Sequence, residues 1–552
     1  MKLNFHNISK LLKEELIYIF IPILIALFYY IIYRFRMDDF TILFSWRWVH
    51  QYFDFWKIAT GFFASIIIAY VVSSIQISLK KIQYLLVIFG LSLFIIIPFW
   101  IVPEINPDTS RFFTQAKYLE MHGVVAFISN WGGDLFVHYD QPSPSLIYGL
   151  LFKFFGENRS VIQAFNTLLF GLGIVATFLI GKKLWNEHVG LYGSLFLMSF
   201  PHLIVQVPLM LVDSFSMCTL AIAVLGFLLA IKEFRIHWII VFLTFSIVTI
   251  TSKLTIPIIF VFVILAAGLL YSSRKSEYRN VILLLVFLSA ILILIVSLEY
   301  DVLLSQLNRV SRLSPLEGAT WRYAVSPISM FHQLSPAVVV LFLISPLFAL
   351  KLCDKRFVIL LAWIIPIIIV VGSSRLRYLI PIYPAIALAA GYTIYELIKN
   401  TRLRQHVVAC IMLFSVIIGF SYIPFMQSYD SKNLMDAATY AENQGFQEIA
   451  IVTYFPNRQG LSHSLIPIFD YYYSGNLIPL SNIADIFNET QSEQLPDILI
   501  IIARHDFNPT TWEEITALMI LETRYELVKR FDSATMGYWS PAITTIYKRL
   551  SE

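Results

Sequence analysis

Long apolar runs alternate with short polar intervals along most of this chain. A run of about 20 apolar residues is enough to cross a bilayer as a helix. Such runs fall at roughly 16–33, 58–76, 83–102, 161–181, 189–205, 214–231, 236–252, 255–271, 281–298, 336–351, 357–372, 377–396 and 407–424. The pattern predicts a polytopic α-helical membrane protein with about 13 transmembrane helices. Lysines precede the first run and no small-residue cleavage site follows it, so it reads as a retained span and not a removed signal peptide.

The pattern changes after residue 427. Lys432 to Gln444 predicts a helix, Glu448 to Tyr454 a buried strand, 463–473 a second helix and Asp497 to Ala503 a second strand. A helix at 510–520 and strands near 525–531 and 541–548 complete the series. Apolar strands alternating with helices make a small C-terminal α/β domain, residues 428–552, behind a multi-span membrane domain, residues 1–427. Within the membrane domain two intervals are unusually long, 103–160 and 299–335. Long loops are uncommon unless they carry function.

Composition sharpens the class. The chain is 58% hydrophobic and 14% charged, whereas soluble domains carry roughly 25% charged residues. Too little charge remains to cover a water-exposed surface. A formal net charge of +4 over 552 residues gives no reason to expect nucleic acid as a partner. The sidedness of the positive charge is more informative. Lys80/Lys81, Lys182/Lys183, Lys232/Arg235, Arg274/Lys275/Arg279, Lys351/Lys355/Arg356 and Lys399/Arg402/Arg404 all fall on the side of Lys2, Lys10 and Lys13. That side is expected to be cytoplasmic at a plasma (inner) membrane. The loop with Arg34, Arg36 and Arg47 breaks the pattern, partly offset by Asp38, Asp39 and Asp54. An odd number of spans then puts the two long loops and the C-terminal domain outside. The three cysteines, Cys218, Cys353 and Cys410, have neither disulfide nor zinc spacing.

Candidate chemistry gathers at the expected outer rim. Asp108, at the start of an expected amphipathic helix Thr109 to His122, shares a helix face with Arg111 and Gln115. It reads either as a helix N-cap or as a general base taking a proton from an acceptor. Trp131, His138, Tyr139 and Asp140 suit sugar stacking and hydrogen bonding, and equally an interfacial aromatic belt. Asp213 sits between two apolar runs, where a carboxylate is costly without a partner; the alternative is a span-capping role. Lys253, Arg375 and Arg377, beside Tyr378, are cations on the face left poor in positive charge. Binding a phosphate explains them, and snorkelling to the interface is the ordinary alternative.

Several segments resemble the GT-C class of integral-membrane glycosyltransferases. The branch is that of the dolichyl-phosphate-mannose protein mannosyltransferases and the bacterial aminoarabinose transferase of lipid A. The resemblance spans about residues 100–400. It rests on Asp108 with Lys117-Tyr118-Leu119 and His122-Gly123, and on Pro142-Ser143-Pro144-Ser145-Leu146 leading to Phe154-Phe155-Gly156-Glu157. Gly181-Lys182-Lys183-Leu184-Trp185, the Asp213 turn and Arg377-Tyr378-Leu379-Ile380-Pro381-Ile382-Tyr383-Pro384 continue it. The first two spans look like an addition ahead of it. The resemblance implies an inverting transfer, at the outer face of the membrane, from a polyprenyl-phosphate sugar donor that enters from the lipid bilayer to a protein, glycolipid or cell-envelope acceptor. It also implies Asp108 as the base, Asp213 organising donor or acceptor, and Lys253, Arg375 and Arg377 holding the departing phosphate. Many relatives carry an acidic pair in the first loop where this chain has Asp108-Thr109, and often Pro-Pro where it has Pro142-Ser143-Pro144. No cofactor is certain, a divalent cation being possible. A lipid-linked oligosaccharide ligase or polymerase is the alternative within the same chemistry. A lipid or solute transporter is the alternative outside it, disfavoured by spans nearly free of charge and without repeats.

Overall fold

The computed structural model describes residues 5–35, 55–75, 81–101, 107–132, 140–306, 308, 330–331, 333–370, 376–424, 432–454, 459–480, 496–504, 519, 521–532 and 542–550. Its helices begin with α1 (Phe5–Phe35), α2 (Phe55–Ser74), α3 (Lys81–Ile96), α4 (Pro107–Ser129), α5 (Pro142–Phe155) and α6 (Arg159–Leu184). They continue with α7 (Glu187–Met198), α8 (Pro201–Gln206), α9 (Val212–Glu233), α10 (Ile236–Ile250), α11 (Ile256–Tyr271) and α12 (Lys275–Leu298). The last helices before the C-terminal region are α13 (Pro336–Lys351), α14 (Phe357–Val370), α15 (Tyr383–Leu397) and α16 (Thr401–Phe420). Then come α17 (Lys432–Asn443), β1 (Glu448–Tyr454), α18 (Gln459–Asp470), β2 (Asn476–Leu480), β3 (Ile498–Arg504), β4 (Tyr525–Phe531) and β5 (Ala542–Arg549).

Eight described helices are long and apolar enough to cross a membrane, and a ninth crossing results if α7 and the segment Pro201–Leu209, bent by 55° against it, count as one. Shorter apolar helices, α10, α11, α13 and α14, occupy further apolar runs expected as spans. The chain is a multi-pass helical membrane protein with a small C-terminal sheet domain. It divides into two compact units. One comprises Met1–Trp100, Asn130–Pro144 and Ala164–Tyr422; the other Ile101–Ser129, Ser145–Gln163 and Ile423–Glu552.

In the first unit, α9 and the segment Arg377–Leu397 are 89% buried, against 17–28% for α1 to α3 and α12. The former pair is therefore the centre, and the latter present apolar side chains outward. α7 meets α6 and α15 at backbone distance because glycines face one another. A Cβ on Gly190 would stand 2.2 Å from the Phe178 carbonyl oxygen, and one on Gly391 would stand 2.7 Å from the Gly193 nitrogen. Small residues at helix contacts are the usual means of close packing in lipid. The 3-10 turn Leu376–Ile382 leads into α15, and the fully buried Trp363 of α14 donates to its Pro381 carbonyl at 3.0 Å. α1 and α2 attach to α16: Tyr29 Oη lies 2.9 Å from Ser415 Oγ and hydrogen-bonds Ser335, and Phe62 stacks 4.4 Å from Phe414.

In the second unit the sheet order is β2-β1-β3-β5-β4, parallel across β2-β1-β3 and antiparallel across β3-β5-β4. Both faces of β1 and β3 are buried, which is why they read as continuous apolar runs. Ile449, Ile451, Ile498, Ile500 and Ile502 pack under α17 and α18, while Ala450, Val452, Leu499 and Ile501 pack on the other face with Leu521 and Tyr525. The second helix lies at Gln459–Asp470, a few residues earlier than expected. β2 was not foreseen, since Asn-Leu-Ile-Pro-Leu carries a proline, a residue sheets admit mainly at an edge. The expected helix at 510–520 lies outside the described residues. α4 runs past the expected His122 and is broken at Gly123 (φ 85°, ψ 169°).

Candidate functional site

The site is assembled within the first unit from three turns at helix ends. α8 and the short 3-10 turn Val207–Leu209 end on Met210 in the left-handed region (φ 53°, ψ 19°). This conformation is uncommon for a side chain of this size. It redirects the chain so that α9 starts at Val212 and places Asp213 in its first turn, 2% exposed. The turn between α10 and α11 carries Lys253, whose ammonium contacts the Asp213 carboxylate. The 3-10 turn ahead of α15 carries Arg377 and Tyr378. Its Tyr378 ring lies 4.0 Å from the Lys253 ammonium and 5.5 Å from the Arg377 guanidinium carbon. One aromatic ring thus pairs with two cations, a favourable interaction that strengthens when water is excluded.

A fourth segment closes over the Lys253 turn. Asp140 pairs with Lys253 in an isolated antiparallel bridge, and Ser143 N donates to the Thr251 carbonyl at 3.2 Å. The hydroxyls of Ser143 and Thr251 meet at 2.6 Å. Gln306 Nε2 donates to the Asp140 carbonyl at 3.2 Å, and its Oε1 accepts from Gln141 Nε2 at 2.7 Å. Asp140 is 3% exposed. One carboxylate and two cations therefore meet around Tyr378, with the Asp140 backbone held against the Lys253 turn, in a mostly apolar setting where each unscreened charge acts strongly.

Five of the residues singled out from sequence, Asp140, Asp213, Lys253, Arg377 and Tyr378, come together here. The sequence reading missed His202 and Tyr383. The buried His202 of α8 has Nδ1 2.9 Å from Tyr383 Oη, and lies near enough to Arg377 to feel its charge. Tyr383, fully buried at the start of α15, is likewise within electrostatic range of Asp213. A single histidine in an apolar run carries no spacing signal.

The other candidates are placed differently. Asp108 is the second residue of α4, in the second unit, and its side chain lies outside the described residues. Arg111, also on α4, has its guanidinium 5.7 Å from the Phe112 ring. His138, Tyr139 and Arg375 lie outside the described residues. Among the described residues no group of three His, Cys, Asp or Glu side chains could hold a metal ion.

Within the second unit one buried ion cluster stands out. Lys117 of α4 donates to Asp470 at 2.7 Å, to Glu157 at 2.9 Å and to the Tyr473 carbonyl at 3.2 Å. Burial pushes the Glu157 carboxyl up to about 7, against the pull of Lys117. Burial also works against the charge of Lys117, but the Asp470 and Glu157 carboxylates outweigh it and hold its pKa above the ordinary lysine value.

Comparison with known proteins agrees with this architecture. Residues 140–300 match the family model described as dolichyl-phosphate-mannose-protein mannosyltransferase. No curated protein sequence is similar enough to count as a match. ArnT from Cupriavidus metallidurans bound to undecaprenyl phosphate is similar in structure, at 12% identity over 84% of this chain and 98% of that chain, with a TM-score of 0.54. Its apo state gives a TM-score of 0.53 at the same identity and coverage. The oligosaccharyltransferase AglB from Archaeoglobus fulgidus covers 77% of this chain and 70% of its own, at 11% identity and a TM-score of 0.48. At such identities the structural likeness is one of fold: the chain has the integral-membrane GT-C architecture that it shares with ArnT, and over residues 140–300 it resembles the mannosyltransferase family in sequence.

Proposed function

We propose that this chain is an inverting glycosyltransferase. It moves a sugar from a polyprenyl-phosphate donor to a protein or glycolipid acceptor at the outer face of the inner membrane. The observation that carries the reading is the meeting of Lys253 and Arg377 at the Tyr378 ring, beside buried Asp213 and Asp140. ArnT, whose fold the chain shares, binds undecaprenyl phosphate, which supports a lipid phosphate as donor.

In this reading the acceptor oxygen attacks the anomeric carbon from the face opposite the phosphate. The carbon–oxygen bond to phosphate breaks, its electron pair leaves with the polyprenyl phosphate, and the acceptor proton passes to the Asp108 carboxylate. Arg377 offers paired donors to the phosphate oxygens, whose charge rises as that bond breaks; this is where fixed donors lower the barrier most. Lys253 adds its remaining ammonium protons. Asp213 accepts a hydrogen bond from the Lys253 ammonium and so fixes the direction of its other donors, which makes it a positioning group. Tyr378 screens both cations from water.

The test is a transfer assay on purified protein in lipid, wild type beside Asp108→Asn, with radiolabelled polyprenyl-phosphate sugars and crude envelope acceptors. Release of free polyprenyl phosphate with label moving to an acceptor, lost in Asp108→Asn while lipid binding survives, is the expected result. Near-normal turnover in the variant sinks the base assignment. Turnover only with diphosphate-linked oligosaccharides makes the chain a ligase or polymerase. Saturable lipid movement without transfer makes it a transporter.

A further inference from the structure

The last residue of α18 opens the run Asp470-Tyr471-Tyr472-Tyr473, and its members reach three other segments of the second unit. Asp470, 5% exposed, takes Lys117 Nζ on Oδ1 at 2.7 Å and Thr114 Oγ1 on Oδ2 at 2.5 Å. The Tyr473 carbonyl and Glu157, just beyond α5, take the two other Lys117 protons. Lys117 therefore has all three of its donors engaged. The Phe113 ring lies 4.8 Å from Tyr471 and 4.9 Å from Phe152 of α5. Arg159, at the start of α6, donates from Nε to the Tyr471 hydroxyl at 3.0 Å, and its guanidinium stacks 5.0 Å from the Tyr471 ring and 5.1 Å from that of Tyr472.

The placement of these contacts on α4 is selective. At 100° per residue, Phe113, Thr114 and Lys117 sit about 140°, 240° and 180° around the helix from position 108. The grip holds the side of α4 opposite position 108, while α5 packs on the other side, where Ser145 donates to Gln115 at 2.7 Å and Gly149 abuts Leu119. A buried ion pair adds little net stability, because desolvation offsets its attraction; its best-attested use is to fix one arrangement against others.

We infer that the Asp470–Tyr473 run is a positioning clamp, through which the C-terminal domain fixes helix α4 and with it Asp108. The link to turnover rests on the reading of Asp108 as base; the clamp itself does not. Asp470 is then a positioning residue, and its loss lowers the rate of transfer without weakening donor binding.

The experiment uses the full chain in lipid nanodiscs, with hydrogen exchange read over 107–122 beside steady-state transfer kinetics. In Asp470→Asn, exchange over 107–122 is expected to rise about tenfold or more, with β1 and β3 unchanged. Transfer is expected to fall about tenfold in kcat with KM for the polyprenyl-phosphate sugar within about twofold. Thr114→Val and Tyr471→Phe, which each remove one contact, serve if Asp470→Asn does not fold, and Lys117→Arg is expected to restore part of the loss seen in Lys117→Met. Unchanged exchange over 107–122 overturns the clamp. Raised exchange with unchanged kcat overturns its role in positioning. If the wild type transfers no sugar from any donor, the transferase reading fails, while the exchange comparison still decides the clamp.

Discussion

The Lys253 ammonium makes two contacts at once, with the Asp213 carboxylate and with the Tyr378 ring 4.0 Å away. Asp213 is 2% exposed, so removal of Lys253 strands its charge. Lys253→Met and Asp213→Asn should each cost on the order of 3–5 kcal/mol, as is usual when one member of a buried pair is removed. Lys253→Met combined with Asp213→Leu should cost clearly less than the sum of Lys253→Met and Asp213→Leu alone. Thermal midpoints of the four proteins in one detergent give the coupling. Additive losses would mean that the pair is not a unit.

Arg377 belongs to the same cluster, 5.5 Å from the Tyr378 ring. Arg377→Ala should raise the KM for the lipid-phosphate donor by about tenfold or more, with a smaller change for acceptor. Arg377→Lys should recover only part of this, because an ammonium cannot offer the paired donors of a guanidinium. Donor titration at saturating acceptor reads both variants. Unaltered donor kinetics in Arg377→Ala would remove it from the phosphate site.

Much of the membrane part was legible because each helix is a run, and a run is local information. The candidate residues were also legible singly: Asp213, Lys253 and Arg377 each interrupt apolar sequence at a cost that calls for a reason. Their meeting was not. Asp213 and Lys253 are 40 residues apart, and it is the packing of α10 back along α9, with Gly226 against the Phe242 backbone, that brings their turns to one place. His202 stayed hidden because its meaning lies in Tyr383, 181 residues away. Asp470 stayed hidden for a similar reason. The C-terminal domain shows no phosphate loop or metal spacing to draw attention to it, and its partner Lys117 lies in a different stretch of chain. In the sheet, β1 and β3 announced themselves through burial on both faces, while the edge strand β2 did not.

The glycine contact between α7 and α6 yields a prediction independent of any chemistry. A Cβ at Gly190 meets a backbone oxygen at 2.2 Å, and a backbone atom cannot swing aside as a side chain can. Gly190→Val should therefore separate α7 from α6 and shift α15 with it. We expect a loss of folded, monodisperse protein on size-exclusion chromatography, whereas Gly90→Ala, which meets nothing within 4 Å, should behave as wild type. Equal yields and midpoints for the two would show that the helices can part at no cost.

The Lys117 cluster makes the second unit sensitive to pH near neutrality. Glu157 titrates at about 7 in the folded protein, against 4.5 ordinarily, chiefly because it is buried; Lys117 opposes the rise, and the neighbouring Asp470 and Glu120 add to it. The folded state therefore holds this proton more tightly than the unfolded state. The contribution of Glu157 to stability is complete below about 4.5 and is lost as pH rises through about 7. At 1.36 kcal/mol per pKa unit the loss is at most about 3–4 kcal/mol. The raised Lys117 acts in the same direction, but only above its ordinary 10.5, outside this window. Hydrogen exchange of α4 and α18, corrected for intrinsic rates, should thus show protection decreasing from pH 5 to pH 8. Glu157→Gln, which cannot ionise, should flatten that dependence while leaving Lys117 on Asp470. A wild-type profile as flat as that of the variant would mean that Glu157 has already lost its proton at pH 5.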